Sequence, residues 1–139
     1  MEIQNISTKL NNFIKDIIQF EKDRNEDANF KYQFGECSNL VSYLFYLDNQ
    51  KGEKIEINSE NSIDEEYCTE EPSHHYIYKA SNGKYYDING EFEDLYDLSF
   101  ESDVFEDYLI EEDVLNFVSY GQEILITKDR ISFVENILN

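Results

Sequence analysis

Apolar and polar positions alternate along this chain in ways that change period several times. Over residues 3–20, Ile3, Ile6, Leu10, Phe13, Ile14, Ile17 and Ile18 recur at helical spacing and predict an amphipathic helix with that stripe inward. Residues 21–29 are polar and read as the helix end plus a loop. Residues 30–34 then alternate, as an extended segment would. Leu40, Val41, Leu44, Phe45 and Leu47 make residues 38–47 apolar around most of a helix, the pattern of a buried central element. Asp48-Asn49-Gln50-Lys51-Gly52 stops it. Ile55 and Ile57 flank Glu56 in a short strand, and residues 58–73 form an acidic loop.

Tyr76-Ile77-Tyr78 and Tyr85-Tyr86, on either side of Asn82-Gly83, predict a β-hairpin. Residues 85–127 contain no Lys or Arg, and acids there are interleaved with Phe92, Leu95, Tyr96, Val104, Tyr108, Val114, Leu115, Phe117 and Val118. That spacing suggests short helices with an acidic outer face. Residues 122–127 read as a strand. Asp129 is placed to cap a last helix with Ile131, Val134 and Leu138 inward. The succession predicts an α+β fold, and a length of 139 residues predicts one domain, 1–139.

Composition sharpens this picture. With 40% hydrophobic and 15% aromatic residues the chain can build a core. Its 31 acidic and 11 basic residues leave a net charge of −20, which argues against phosphate-mediated binding of nucleic acid and against anionic membranes. A basic partner or substrate suits it. Two cysteines, Cys37 and Cys68, do not make a disulfide framework. No signal peptide or membrane-spanning run is apparent, so the expected setting is the cytoplasm, with export lacking a cleaved signal left open.

The chemistry converges on Cys37. It begins the second helix, where free backbone N–H groups and the helix dipole favour a thiolate. Downstream lie a histidine and then Asp87, the order of a thiol nucleophile, a base and a group that orients the base. The hairpin brings the last two side by side. A two-residue turn would put Asp87 on one sheet face with His74, a three-residue turn with His75. The Cys37 N–H is a candidate oxyanion donor, and Gln33, four residues upstream, a second by type and proximity. Competing readings are a buried structural thiol, since Cys37 is at helical spacing from Val41 and Leu44, and a zinc site from Cys37, Cys68, His74 and His75. No paired-cysteine spacing supports the zinc site, so no metal or cofactor is expected. Cys68 reads as incidental.

Gly35-Glu36-Cys37-Ser38-Asn39-Leu40-Val41-Ser42-Tyr43 resembles the Asp-Cys-Ser-Gly-Leu-Val motif of NlpC-type cell-wall peptidases, in the papain-like superfamily. His75-Tyr76-Ile77-Tyr78, followed by Asn82-Gly83-Lys84-Tyr85-Tyr86-Asp87 and Gly90, resembles the histidine and aspartate strands of other papain-like and transglutaminase-like proteins. The resemblance covers about residues 33–90, in short motifs. Asn39 replaces the motif's glycine, and the usual glycine-aspartate block between cysteine and histidine is missing. The resemblance implies a papain-like domain whose central helix starts at the cysteine and packs on a small antiparallel sheet. It also implies His75 as the base, and cysteine-dependent hydrolysis, deamidation or acyl transfer at amide bonds of a protein or peptide. The rival expectation is a non-catalytic acidic protein, of inhibitor or immunity type, that binds a basic partner on the same scaffold.

Overall fold

The computed structural model of the protein describes residues 5–28, 31–32, 36–59, 75–94 and 115–139. Among these residues it has three helices, α1 (Ile6–Lys22), α2 (Cys37–Leu47) and α3 (Lys128–Leu138). The strands are β1 (Glu53–Ser59), β2 (His75–Lys79), β3 (Tyr85–Asp87), β4 (Gly90–Phe92) and β5 (Leu115–Ser119). The fold is α+β, with one antiparallel sheet in the order β4-β3-β2-β1-β5. No helix among the described residues is long and apolar enough to cross a membrane.

Asn5 caps α1 by accepting the Ser7 N–H at 2.7 Å, and Leu10, Phe13, Ile14 and Ile17 turn inward. Ile18, expected on that stripe, is 37% exposed. The next inward position belongs to Glu21, which is buried against the Lys31 ammonium at 2.9 Å and the Tyr32 hydroxyl at 3.2 Å. This anchoring also makes Lys31 and Tyr32 helical rather than extended, with the Lys31 N–H on the Asp27 carbonyl at 2.9 Å.

Leu40, Val41, Tyr43, Leu44, Phe45 and Leu47 of α2 are buried, and they pack with Tyr78, Ala80, Tyr86 and Ile88 from the hairpin. Phe133 of α3 stacks on Tyr43 with ring centres 4.8 Å apart. Ile55, Ile57 and Ile77 form a second cluster, with Tyr85, Phe92 and Phe117 packed on it.

The C-terminal third departs most from expectation. Leu115–Ser119 is a strand paired with β1, not part of a helix. Residues 123–127 carry no strand, although their alternation is real: Ile124 and Ile126 pack on the core while Leu125 is exposed. The backbone turns away from the sheet at Gly121, in the left-handed region with φ +59°. Thr127, rather than Asp129, caps α3, accepting the Arg130 N–H at 3.2 Å. Val134 is buried as expected, but Leu138 is 54% exposed. Of the acidic run expected on an outer face, residues 95–113 lie outside the described residues. Glu91 is not a free surface acid, since it accepts the hydroxyls of Tyr86 and Ser7 and pairs with Lys84.

A buried carboxylate locks the end of α2 to the hairpin. Asp48 is fully buried and accepts the Tyr78 hydroxyl at 2.7 Å and both the N–H and hydroxyl of Ser81, at 2.8 and 2.5 Å. Its removal would strand these donors in a dry interior, at about 1–3 kcal/mol for each unsatisfied group. Asp48→Ala is therefore expected to lower the urea midpoint of unfolding by several times as much as a surface Asp→Ala change such as Asp129→Ala. Asp48→Asn, which can still accept, should fall between them.

Candidate active site

The sequence around the thiol dictates its setting. Cys37 is the first residue of α2, and Glu36 before it stands at the N-cap without a side-chain capping bond. A helix leaves its first N–H groups without intrahelical partners. Here the Ser38 N–H is directed at the sulfur, and so is backbone from Tyr76 of β2. Cys37 is half-buried and not in a disulfide.

The hairpin turn decides which histidine meets Asp87. Tyr78 pairs with Tyr86 and Lys79 with Tyr85, and the Ala80 N–H bonds the Lys84 carbonyl at 2.9 Å. The turn is thus the three residues Ser81, Asn82 and Gly83, with the Gly83 N–H on the Ala80 carbonyl at 2.9 Å and Gly83 at φ +84°. That odd number puts Asp87 on the face of His75. His75 Nε2 lies 3.1 Å from Asp87 Oδ2, and both residues are buried. Because a carboxylate only accepts, Nε2 carries the hydrogen. The other Asp87 oxygen accepts the Asn89 N–H at 2.7 Å, which fixes the carboxylate within the β3–β4 turn.

His75 and Cys37 also act on each other: each is a cause of the other's shift in ionisation. Burial pushes the Cys37 thiol up. The hydrogen bond and charge of His75, joined by the Tyr76 and Ser38 backbone, outweigh it and bring the thiol below its ordinary 9.0. For His75 burial favours the neutral ring, but Asp87 and Cys37 overcome that and raise it to about 9. A lowered thiol and a raised imidazole, each through the other, are the directions in which a thiolate–imidazolium pair shifts its two members.

Tyr76, next to His75, has its hydroxyl pushed up to about 12 by burial, then by Glu56 and, more weakly, by the Cys37 charge. Its ring faces that of Tyr120 at 6.3 Å, with the Lys54 ammonium 4.3 Å from the Tyr76 ring centre.

The structure therefore brings together Cys37, His75 and Asp87. Gln33, His74 and Cys68 lie outside the described residues. Among the described residues no three His, Cys, Asp or Glu side chains gather as a metal site would require. Sequence reasoning missed Arg130, whose guanidinium lies against the first turns of α2. Its spacing of four from the buried Val134 was the available signal.

The site is a Cys–His–Asp constellation on an α+β frame. No family model, no curated protein and no solved structure matches the chain.

The pH dependence of thiol reactivity follows from these shifts. Only the thiolate reacts with iodoacetamide, so alkylation of Cys37, followed on its peptide by mass spectrometry, should reach half its maximum below pH 9.0. In His75→Ala the largest lowering interaction is gone while burial opposes ionisation, so the midpoint should move up. Alkylation needs no proton donor and should stay high above pH 9, where His75 loses its proton.

Proposed function

We propose that the protein is a cysteine-dependent hydrolase or acyltransferase acting on amide or peptide bonds, on a papain-like frame. One observation carries the reading: a helix-start thiol lies in electrostatic reach of a buried histidine, whose Nε2 is held by a buried aspartate. The frame supports it, because α2 begins at the cysteine and packs on the antiparallel hairpin that bears the other two residues.

In the proposed reaction the Cys37 sulfur attacks the carbonyl carbon and the C=O electron pair moves onto oxygen. The Cys37 N–H at the helix start is the donor for that oxyanion. The tetrahedral intermediate collapses with cleavage of the C–N bond, and the His75 imidazolium gives its proton to the departing amine. What remains is a thioester on Cys37 and a neutral imidazole. Water, or another amine, then gives a proton to His75 and attacks the thioester, and the thiolate leaves to re-form the ion pair. Asp87 keeps the ring aimed throughout and stabilises its charged form.

A net charge of −20 draws cations toward the molecule, which supports a basic protein or peptide as substrate. A reducing cytoplasmic setting suits a free low-pKa thiol.

Acylation by p-nitrophenyl acetate tests the mechanism without knowledge of the substrate. A burst of p-nitrophenolate equal to the enzyme concentration is expected, with a hydroxylamine-labile acetyl group on Cys37. Cys37→Ala should abolish the burst, and His75→Ala should slow it by roughly tenfold or more at pH 7, through loss of thiolate. Acylation of Cys37 at the rate of a simple thiol, indifferent to His75→Ala, would overturn the reading. Tight, salt-sensitive binding of a basic protein that survives Cys37→Ala, together with that indifference, would assign the acidic scaffold role instead.

Turnover should follow a bell-shaped pH profile. Its acid limb reports formation of the ion pair, and its alkaline limb lies near pH 9, where the raised His75 gives up the proton that the leaving amine needs. Comparing this limb with the flat high-pH alkylation of the same thiol separates the role of the proton donor from that of the nucleophile.

A further inference from the structure

The residue before the nucleophile is an acid. Glu36 abuts Cys37, and a carboxylate free to approach the sulfur would oppose its ionisation. The structure holds both of its oxygens elsewhere. Oε1 accepts the Asn39 side-chain amide at 3.0 Å, and Oε2 lies 3.7 Å from the Lys31 ammonium. Asn39 is held in turn by α3: Arg130 donates one guanidinium nitrogen to Asn39 Oδ1 at 2.8 Å. The other nitrogen donates to the Ser42 hydroxyl and to the Leu125 carbonyl, each at 2.7 Å. Ser42 itself bonds the Leu125 and Ser38 carbonyls, at 2.9 and 3.1 Å. One planar cation thus ties the first two turns of α2 to the C-terminal helix. Its second nitrogen also fixes the orientation of the amide that restrains Glu36. Guanidinium geometry is suited to such a bridge, and a lysine's point charge is not.

We propose that Arg130 is a positioning residue for Cys37: acting through Asn39, it holds the first turn of α2 and keeps the Glu36 carboxylate off the thiolate. This role rests on the reading of Cys37 as an ion-paired nucleophile. It explains why an asparagine stands two residues after the cysteine, since a glycine there would leave both Glu36 and Arg130 without their shared partner. The ionisable groups coupled to the sulfur are His75 and Tyr76 of β2, and Glu36 precedes it in the chain. Asp87 of β3 stands behind His75, and Glu56 of β1 behind Tyr76. Of these, Glu36 is the one that Arg130 governs.

The test is the pH midpoint of Cys37 alkylation in variants that cut the chain at different links. Asn39→Ala removes the amide restraint on Glu36 Oε1 and leaves the Arg130 bonds to Ser42 and Leu125 intact. Arg130→Gln removes those bonds and the hold on Asn39 Oδ1 that orients the amide toward Glu36. Each should raise the midpoint by about one pH unit. Adding Glu36→Gln to either variant should return the midpoint to that of Glu36→Gln alone, a rescue that a purely structural clamp would not produce. If Arg130→Gln fails to fold, Asn39→Ala still decides. A lowered wild-type midpoint that Asn39→Ala leaves in place, or a raised one that Glu36→Gln fails to rescue, overturns the role of Arg130 alone. A wild-type midpoint at 9.0 or above overturns the reading of the thiol and this role with it.

Discussion

The structure depends on α2 being held to the hairpin at both ends. At its C-terminal end Asp48 takes the Tyr78 hydroxyl and the Ser81 donors, and at its N-terminal end Cys37 meets His75. From Cys37 to Asp48 the helix advances about 16 Å by its rise per residue. From His75 to Ser81 the strand advances about 20 Å by its own. Helix and strand run the same way and match in length, so fixing one end sets the register of the other. Between the two anchors Leu40, Val41, Leu44 and Phe45 close on Tyr78 and Tyr86. The site is a product of this lock, because the thiol and the imidazole belong to segments some forty residues apart.

A chain with so few cations cannot bury its acids in ion pairs alone, and this one uses tyrosine instead. The Tyr32 hydroxyl donates to Glu21 at 3.2 Å, that of Tyr78 to Asp48 at 2.7 Å, that of Tyr86 to Glu91 at 2.6 Å and that of Tyr120 to Glu56 at 3.2 Å. Burial and the adjacent carboxylates push the hydroxyls of Tyr32 and Tyr78 far above their ordinary range, and that of Tyr86 to about 12. Each remains a donor across the physiological range. The arrangement avoids much of the desolvation cost of a buried ion pair, since only one partner is charged. It gives the 11 tyrosines of the chain a use beyond apolar bulk. Glu91 shows the result. Burial alone would raise it, yet the hydroxyls of Ser7 and Tyr86 and the Lys84 ammonium bring it down to about 2.

What was legible in the sequence was what local pattern controls. The stripe of α1, the apolar surface of α2 and the Asn82-Gly83 turn are decided within a dozen residues. The order Cys37, His75, Asp87 could be read because chemistry restricts which residue types serve. The choice of His75 over His74 could not be read from the residues alone, since it hangs on whether the turn holds two or three residues. The Ala80 N–H on the Lys84 carbonyl settles it at three. The strand at Leu115–Ser119 was hidden because its residues alternate imperfectly and its partner β1 is some sixty positions away. The alternation of Ile124, Leu125 and Ile126 was correct about burial and wrong about hydrogen bonding. The Leu125 carbonyl accepts from Ser42 and Arg130 rather than from a neighbouring strand. Glu21 and Asp48 were hidden for a related reason: a carboxylate at a helix end reads as solvated until its donors, far along the chain, are known.

Local and long-range electrostatics meet at Cys37. A molecule carrying −20 opposes the creation of one more negative charge, yet distant charges are screened over roughly 10 Å at ordinary ionic strength. The ionisation of Cys37 is therefore decided by its nearest neighbours. Within that range stand the helix-start N–H groups, the His75 ring charged with the help of Asp87, and the bridled carboxylate of Glu36. The same screening assigns the remaining acids a different part in the proposed reaction. Acids beyond that range do little to the thiolate and still shape the field through which a cationic peptide approaches. The local and the long-range electrostatics thus need opposite signs, a cation beside the sulfur and an acidic exterior. The fold separates them by burying His75 and Asp87 while leaving Cys37 half-open to the surface.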